Sequence, residues 1–283
     1  MSSERISADD PIRLPEWVSL SLDEQPRDPA HLAALCEQSA SRALGRAGRV
    51  AATLEGVDGQ LGEGMRIGRA LLEVHDWQLG KLPPASQISS LSSRPTGEDA
   101  AAPPCNIDRV EVRFVGARLA DLRCETITIG ADGVVGRISG AGQAWSLELE
   151  SAADLWVRGE VLATDARDAL VAQSPFIVDG TLSFQPNGGM AADGRVRVGL
   201  LPLSARIEGK LAVAQGRDLL FSDVSVKVGG KALPSSVVAG KLDEINPVFT
   251  VRPLHDAGLP VELLDPDVDG SVLHLHCRAI RGS

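Results

Sequence analysis

From Cys105 to Cys277 the chain places apolar residues at every second position in one run after another. Val110, Val112 and Phe114 fall on one side of such a run, and Arg109, Glu111 and Arg113 on the other. The pattern returns at Ile127 and Ile129, at Trp145, Leu147 and Leu149, and at Leu155, Val157 and Val161. It continues at Val196, Val198 and Leu200, at Val224, Val226 and Val228, and at Leu273, Leu275 and Cys277. A period of two belongs to a half-buried strand, because successive side chains point to opposite faces; a helix needs 3.6. Ala131-Asp132-Gly133, Pro186-Asn187-Gly188-Gly189, Ala192-Asp193-Gly194 and Asp269-Gly270 read as hairpin punctuation between the runs. Strands joined by short turns form an antiparallel meander and exclude a doubly wound α/β fold. One helix interrupts them, over about 165–173, with Thr164 as its N-cap and Asp165 in its first turn.

Upstream of Cys105 the signals differ. Residues 1–29 carry seven acids against three arginines and several prolines, which predicts a loosely ordered acidic tail. Asp28-Pro29 followed by Leu32, Leu35, Cys36 and Leu44 predicts an amphipathic helix over about 29–45. Residues 46–82 mix strand and helix signals, with VAATLEGV a strand and MRIGRALLEVHDWQL either strands or a short helix. Residues 83–104 are rich in Pro and Ser without a period, the pattern of a flexible loop or linker. The organisation is thus a tail (1–29), an N-terminal helix with strands (30–82), a linker (83–104) and a β domain (105–283).

Composition narrows the function. A formal charge of −10 disfavours nucleic acid, whose binding rests on clustered Lys and Arg, and also simple electrostatic adsorption to an anionic membrane. Aromatics are scarce at 3%, with no Tyr, so neither a protein-interface hot spot nor a base-stacking platform is the expected role. A buried acyl chain stays compatible with both numbers, because its transfer is driven by apolar area. Cys36, Cys105, Cys124 and Cys277 form no Cys-x-x-Cys pair and read as scattered free thiols. The N-terminal MSSERISADDPIRLPEW has acids and prolines where a signal peptide needs a basic end and an apolar stretch. No apolar run approaches the ~18–20 residues of a membrane span. The expectation is a cytoplasmic protein, peripheral to a membrane at most.

Several motifs could carry chemistry. Asp265-Pro266-Asp267-Val268-Asp269-Gly270 copies the start of an EF-hand loop, but the twelfth position is His276 where a Glu is needed, so a plain turn is expected. His274 and His276 share a strand face, and Cys277 points the other way, which leaves a metal without a third ligand. His75-Asp76 and His255-Asp256 are neighbours in sequence with no motif-bearing nucleophile. The glycines of Gly56–Gly62 and Gly136–Gly142 lack the strand-then-helix context of a phosphate cradle and read as turns or bulges. No catalytic site, metal or cofactor is expected.

Five stretches resemble the LmeA-type phospholipid-binding family. They are Leu119–Ile129, the short helix at Thr164–Val171, Gly194–Ile207 followed by Leu219–Val228, Glu244-Ile245-Asn246-Pro247-Val248-Phe249, and Leu259-Pro260-Val261-Glu262-Leu263. The family's Asp-x-Asn element is replaced by Asp165-Ala166-Arg167. The resemblance implies a mainly β (α+β) fold: an elongated curled antiparallel sheet or half-barrel on one or two helices, similar to the tubular lipid-binding superfamily. It further implies an apolar groove for acyl chains.

An aliphatic inner face with few large aromatics can leave such a groove open, or close on itself as a dry core. The first expectation is non-enzymatic binding or transfer of a phospholipid or acyl chain, with a transient membrane contact. Alternation assigns the lining to Val112, Phe114, Val196, Val198, Leu200, Ile207, Phe221, Val224 and Val226. The alternative is a structural or assembly protein with a filled β core that acts through protein partners.

Overall fold

A computed structural model describes residues 11–14, 19–44, 48–59, 64–79, 104–119, 122–141, 144–173, 177–186, 188–198, 201–256, 258–259 and 261–280. The protein is mainly β, with two sheets built on the alternating runs. The first orders β16 (Val261–Leu263), β18 (Val272–Ala279), β9 (Asp154–Leu162), β7 (Leu122–Ala141), β6 (Pro104–Leu119), β4 (Arg66–His75) and β3 (Arg49–Asp58). The second is a curled antiparallel half-barrel. It is a meander of β10 (Ile177–Gln185), β11 (Gly189–Val198), β12 (Leu201–Ala214), β13 (Asp218–Val228) and β14 (Lys231–Ala232).

Two expected turns lie inside strands. Ala131-Asp132-Gly133 lies inside the 20-residue β7, where Gly133 takes φ +59°. One edge of β7 is paired by β6; the other is shared by β9 along Thr126–Asp132 and by β8 (Ala144–Ala152) along Val135–Ala141. The Ala153 N–H, donating to Asp132 O at 2.9 Å, joins the two halves of that arm. Ala192-Asp193-Gly194 likewise sits in the middle of β11. Small and turn-forming residues suit a bulge or a close strand approach as well as a hairpin, so local chemistry does not separate these outcomes. Pro186–Gly189 and Asp269-Gly270 do connect antiparallel neighbours, β10 with β11 and β17 (Asp267–Asp269) with β18.

The antiparallel pattern has one exception. β4 and its continuation β5 (Gln78–Leu79) pair with β6 in parallel, across the 80–103 connection that lies outside the described residues. The 83–104 linker expectation falls there too, except for Pro104 at the start of β6. The described residues of the 46–82 region form strands β3, β4 and β5.

Helix α1 (Pro29–Leu44) forms as expected. Asp28 caps it by accepting the His31 N–H at 2.8 Å, and Leu32, Leu35, Cys36 and Ala40 bury one stripe, which packs on β3. The acidic tail is less loose than its charge suggests. Described parts of it form β1 (Ile12–Arg13) and β2 (Ser19–Leu22), both paired with β8, and Leu22 is 2% exposed. Burial of Ile12 and Leu22 outweighs the tail's polarity, since each such side chain contributes about 1.5–3 kcal/mol. Among the described residues three helices rather than one interrupt the later strands: α2 (Ala163–Gln173), α3 (Ser235–Ile245) and α4 (Arg252–Asp256). α2 starts before Thr164, so that residue lies in the first turn and is no cap.

One apolar core runs through both sheets, from Leu32 and Ile67 to Leu219 and Val261. A smaller cluster under α1 holds Ala40, Val50, Val74, Phe114 and Ala117. In the first sheet, tryptophans fill the space over glycines: Trp156 lies across from Gly130, and Trp145 across from Gly140. Gly140, expected in a turn or bulge, is therefore a seat for an aromatic ring on a strand.

Candidate functional site

The half-barrel sorts its side chains by face. Register places Leu182, Ala192 and Ile207 side by side, then Ile207 beside Val226, and Val196 beside Leu203. The opposite face holds Asp179, Asp193, Arg195, Arg206 and Glu208, joined as exposed pairs Arg195–Asp179, Arg206–Asp193 and Arg206–Glu208. Such pairs contribute little, roughly 0–1 kcal/mol each, and mark this side as the solvated one.

The apolar face is filled at one end and open at the other. Phe184, Leu211, Leu219 and Phe221 are buried in the main core. Val196, Leu203, Ala205, Val226 and Val228 are only half-buried and pack against neither buried cluster. The meander continues past the point where the core ends, and α2 (Ala163–Gln173) reaches over the Val196 and Ala205 side of this floor.

Two helices bound the floor. α2 packs on β10, and its Leu170 and Val171 overhang Gly180, Ala192, Gly194 and Ala205. Gly180 and Gly194 are direct cross-strand partners, and a Cβ at Gly194 would fall 2.3 Å from Asp179 O. No side chain can stand there, which keeps the floor low beneath the helix. The cleft so formed measures about 30 Å³. A water needs ~10–15 Å³ of such volume, so the cleft admits water and no hydrocarbon chain. On the other side α3 runs along the outer edge of β13, between β14 at Lys227–Val228 and β15 (Phe249–Thr250) at Asp218–Leu219. It shields an edge that would otherwise offer unpaired backbone groups.

The nine residues expected to line a groove do not all meet. Val196, Ile207, Val224 and Val226 share the apolar face of the half-barrel. Phe221 lies on that face too, but in its filled end, 7% exposed. Val112 and Phe114 belong to the first sheet and pack under α1, where Phe114 stacks on Trp77 at 4.8 Å. Alternation reports which side of a strand a residue takes and not which sheet the strand joins, so it merged two clusters. The Val198 side chain and Leu200 lie outside the described residues. Leu203, Ala205 and Val228 were missed as lining, although the Leu201–Ile207 alternation and the end of the Val224–Val228 run carried the signal.

The other candidate groups are engaged locally. His274 and His276 do share a face of β18, their rings 6.3 Å apart, with His274 Nδ1 3.7 Å from Glu160. His75 is paired with Glu73 at 2.7 Å, and not with Asp76. His255 Nε2 donates to the Val261 carbonyl. Glu111, expected to face water, is 6% exposed and held by Arg69 from the neighbouring strand and by Arg113 from its own. All four cysteines are free and buried. Burial pushes the Cys36 and Cys277 thiols up to about 12 and those of Cys105 and Cys124 to about 11, which holds them as unreactive thiols. Among the described residues no group of three or more His, Cys, Asp or Glu could hold a metal ion. Nor is any described helix long and apolar enough to cross a membrane.

What fold and site define is a curled β protein with a half-open aliphatic face. No family model, no curated protein and no solved structure matches the chain.

Proposed function

We propose that this chain is a non-enzymatic lipid binder that lays an acyl chain along the open floor of the half-barrel. The observation that carries the reading is the half-buried aliphatic strip of Val196, Leu203, Ala205, Val226 and Val228, which lies outside the filled core. Each methylene buried there contributes about 0.8 kcal/mol, so no charged contact is required. The resemblance to the LmeA-type family points the same way. The 30 Å³ cleft under α2 limits the mode of binding: the chain lies on the open floor, or α2 lifts, but it does not thread a closed tunnel.

The filled end of the same face favours a rival, a scaffold that acts through protein partners. Native mass spectrometry of the purified protein, with titration of a fluorescent fatty acid, separates the two. A lipid binder carries extractable lipid and binds the probe, and Ala205→Trp, which fills the floor, weakens the probe by about tenfold or more. Absence of lipid together with probe binding no better than a control protein leaves the scaffold reading.

A further inference from the structure

The exposed large apolar residues of the described chain are Leu233, Val237 and Val248, and all three lie within one short stretch around α3. The same stretch concentrates a rare residue. The chain has five lysines, and three of them, Lys227, Lys231 and Lys241, fall between Asp223 and Asp243, where there is no acid at all. Elsewhere the cations are mostly arginines tied into pairs, such as Arg69–Glu111, Arg109–Asp132 and Arg252–Asp218. Lys227 and Lys231, by contrast, have no acidic partner among the described residues.

Topology brings Lys227, Lys231 and Leu233 to one end of the half-barrel, whereas Val248, its N–H on Leu219 O at 2.9 Å, lies at the other. Lys227 and Lys231 flank the Gly229-Gly230 turn between β13 and β14, and the Gly229 N–H donates to Ser204 O at 2.8 Å, tying that turn to β12. Leu233 follows directly, with its N–H on Val226 O at 2.8 Å. This end is also where the open floor stops, at Leu203 and Val228. Free ammonium groups at Lys227 and Lys231, followed by exposed Leu233 and Val237, match an anionic bilayer surface: the charges reach phosphates while the apolar groups enter the acyl boundary. A formal charge of −10 does not oppose this, because at physiological salt the field beyond about 8 Å is screened and the local lysines decide.

We infer that the β13–β14 tip and α3 dock this protein on anionic phospholipid membranes tip first, bringing to the bilayer the end of the open floor at Leu203 and Val228. The inference rests on the lipid-binding reading and names the surface from which that site is loaded.

Flotation of the full chain with vesicles tests it, using phosphatidylcholine alone and phosphatidylcholine with about 30% phosphatidylglycerol. The protein floats with the anionic vesicles and not with the neutral ones, and raising salt from ~0.1 to ~0.5 M releases it. Lys227→Glu combined with Lys231→Glu lowers partitioning by about tenfold or more, and Val237→Asp lowers it further. Both variants keep the wild-type melting transition and bind a soluble fatty-acid probe without vesicles, which separates docking from the acyl site. Equal flotation on both vesicle types, or variants that float like the wild type, overturns the inference. So does a tip that instead pairs two copies of the chain, seen as a dimer by light scattering that the same substitutions abolish.

Discussion

The side-chain amide of Asn246 pairs with both backbone polar groups of Phe221: Oδ1 accepts the Phe221 N–H at 2.8 Å, and Nδ2 donates to the Phe221 carbonyl at 3.0 Å. One side chain thus copies a strand residue at the outer edge of β13. The same residue ends α3, its own N–H donating to Leu242 O at 2.8 Å. Helix and sheet edge are thereby locked together where the filled core gives way to the open floor.

Asn246→Ala removes both bonds and strands two backbone groups on a half-buried edge, so it is expected to cost about 2–3 kcal/mol in chemical denaturation. Asn246→Asp keeps the acceptor, loses the donor and sets a carboxylate against the Phe221 carbonyl, so it does not rescue the loss. Hydrogen exchange in the Phe221 segment should quicken in both variants. A cost for Asn246→Ala under about 0.5 kcal/mol would mean that water replaces the amide and that the lock is incidental.

Much of this architecture was legible in the sequence because burial writes itself into period two. The runs at Val224–Val228 and Leu273–Cys277 are strands with the expected faces inward, and Val110–Phe114 is a strand whose outward-expected Glu111 is buried as well. Asp28 announced α1 through its capping chemistry. What periodicity cannot carry is partnership: nothing local to Phe114 says that it packs under α1 while Phe221 packs in the half-barrel. The parallel β4–β6 pair was hidden for the same reason, being a non-local choice. α3 was missed because Ser235–Ile245 is short and its apolar residues stay partly exposed, which blurs the helical stripe. The open floor was half legible: its residues showed as alternation, but whether anything covers them is decided by elements distant in sequence.

Glycine substitutions separate a seat for a ring from a merely permissive position. A Cβ at Gly130 would fall 2.1 Å from Trp156 Cζ2, so Gly130→Ala forces the indole away. The ring then gives up its Nε1–H bond to Asp132 at 3.2 Å and the Arg158 guanidinium stacked 4.6 Å from its centroid. The expected cost is about 1–3 kcal/mol, with a red shift of tryptophan emission. Gly240 in α3 has nothing within 4 Å of its would-be Cβ, so Gly240→Ala should stabilise by about 0.5–1 kcal/mol through helix propensity. Opposite signs for the two substitutions in one melting experiment are the outcome expected; a harmless Gly130→Ala would show that Trp156 is not seated on the strand.

The acid response should report His276. Burial comes first in lowering its proton affinity below the ordinary 6.5, followed by the Arg158 guanidinium and His274, with Asp267 and Glu160 acting the other way. The folded state therefore holds this imidazole neutral at a pH where the unfolded chain has begun to protonate it. Its contribution is complete above 6.5 and is lost as pH falls from there through the lowered folded value. A single group changes stability by at most about 1.4 kcal/mol per pH unit. His276→Gln removes the titration and keeps a polar side chain on the strand, so its melting temperature should fall less than that of the wild type as pH is lowered through this window. His274→Gln serves as the comparison, since it removes one of the neighbours that disfavour the charge and should make the wild-type drop shallower without abolishing it. Parallel melting curves for all three proteins between about pH 7 and pH 5 would show that His276 has the same proton affinity folded and unfolded.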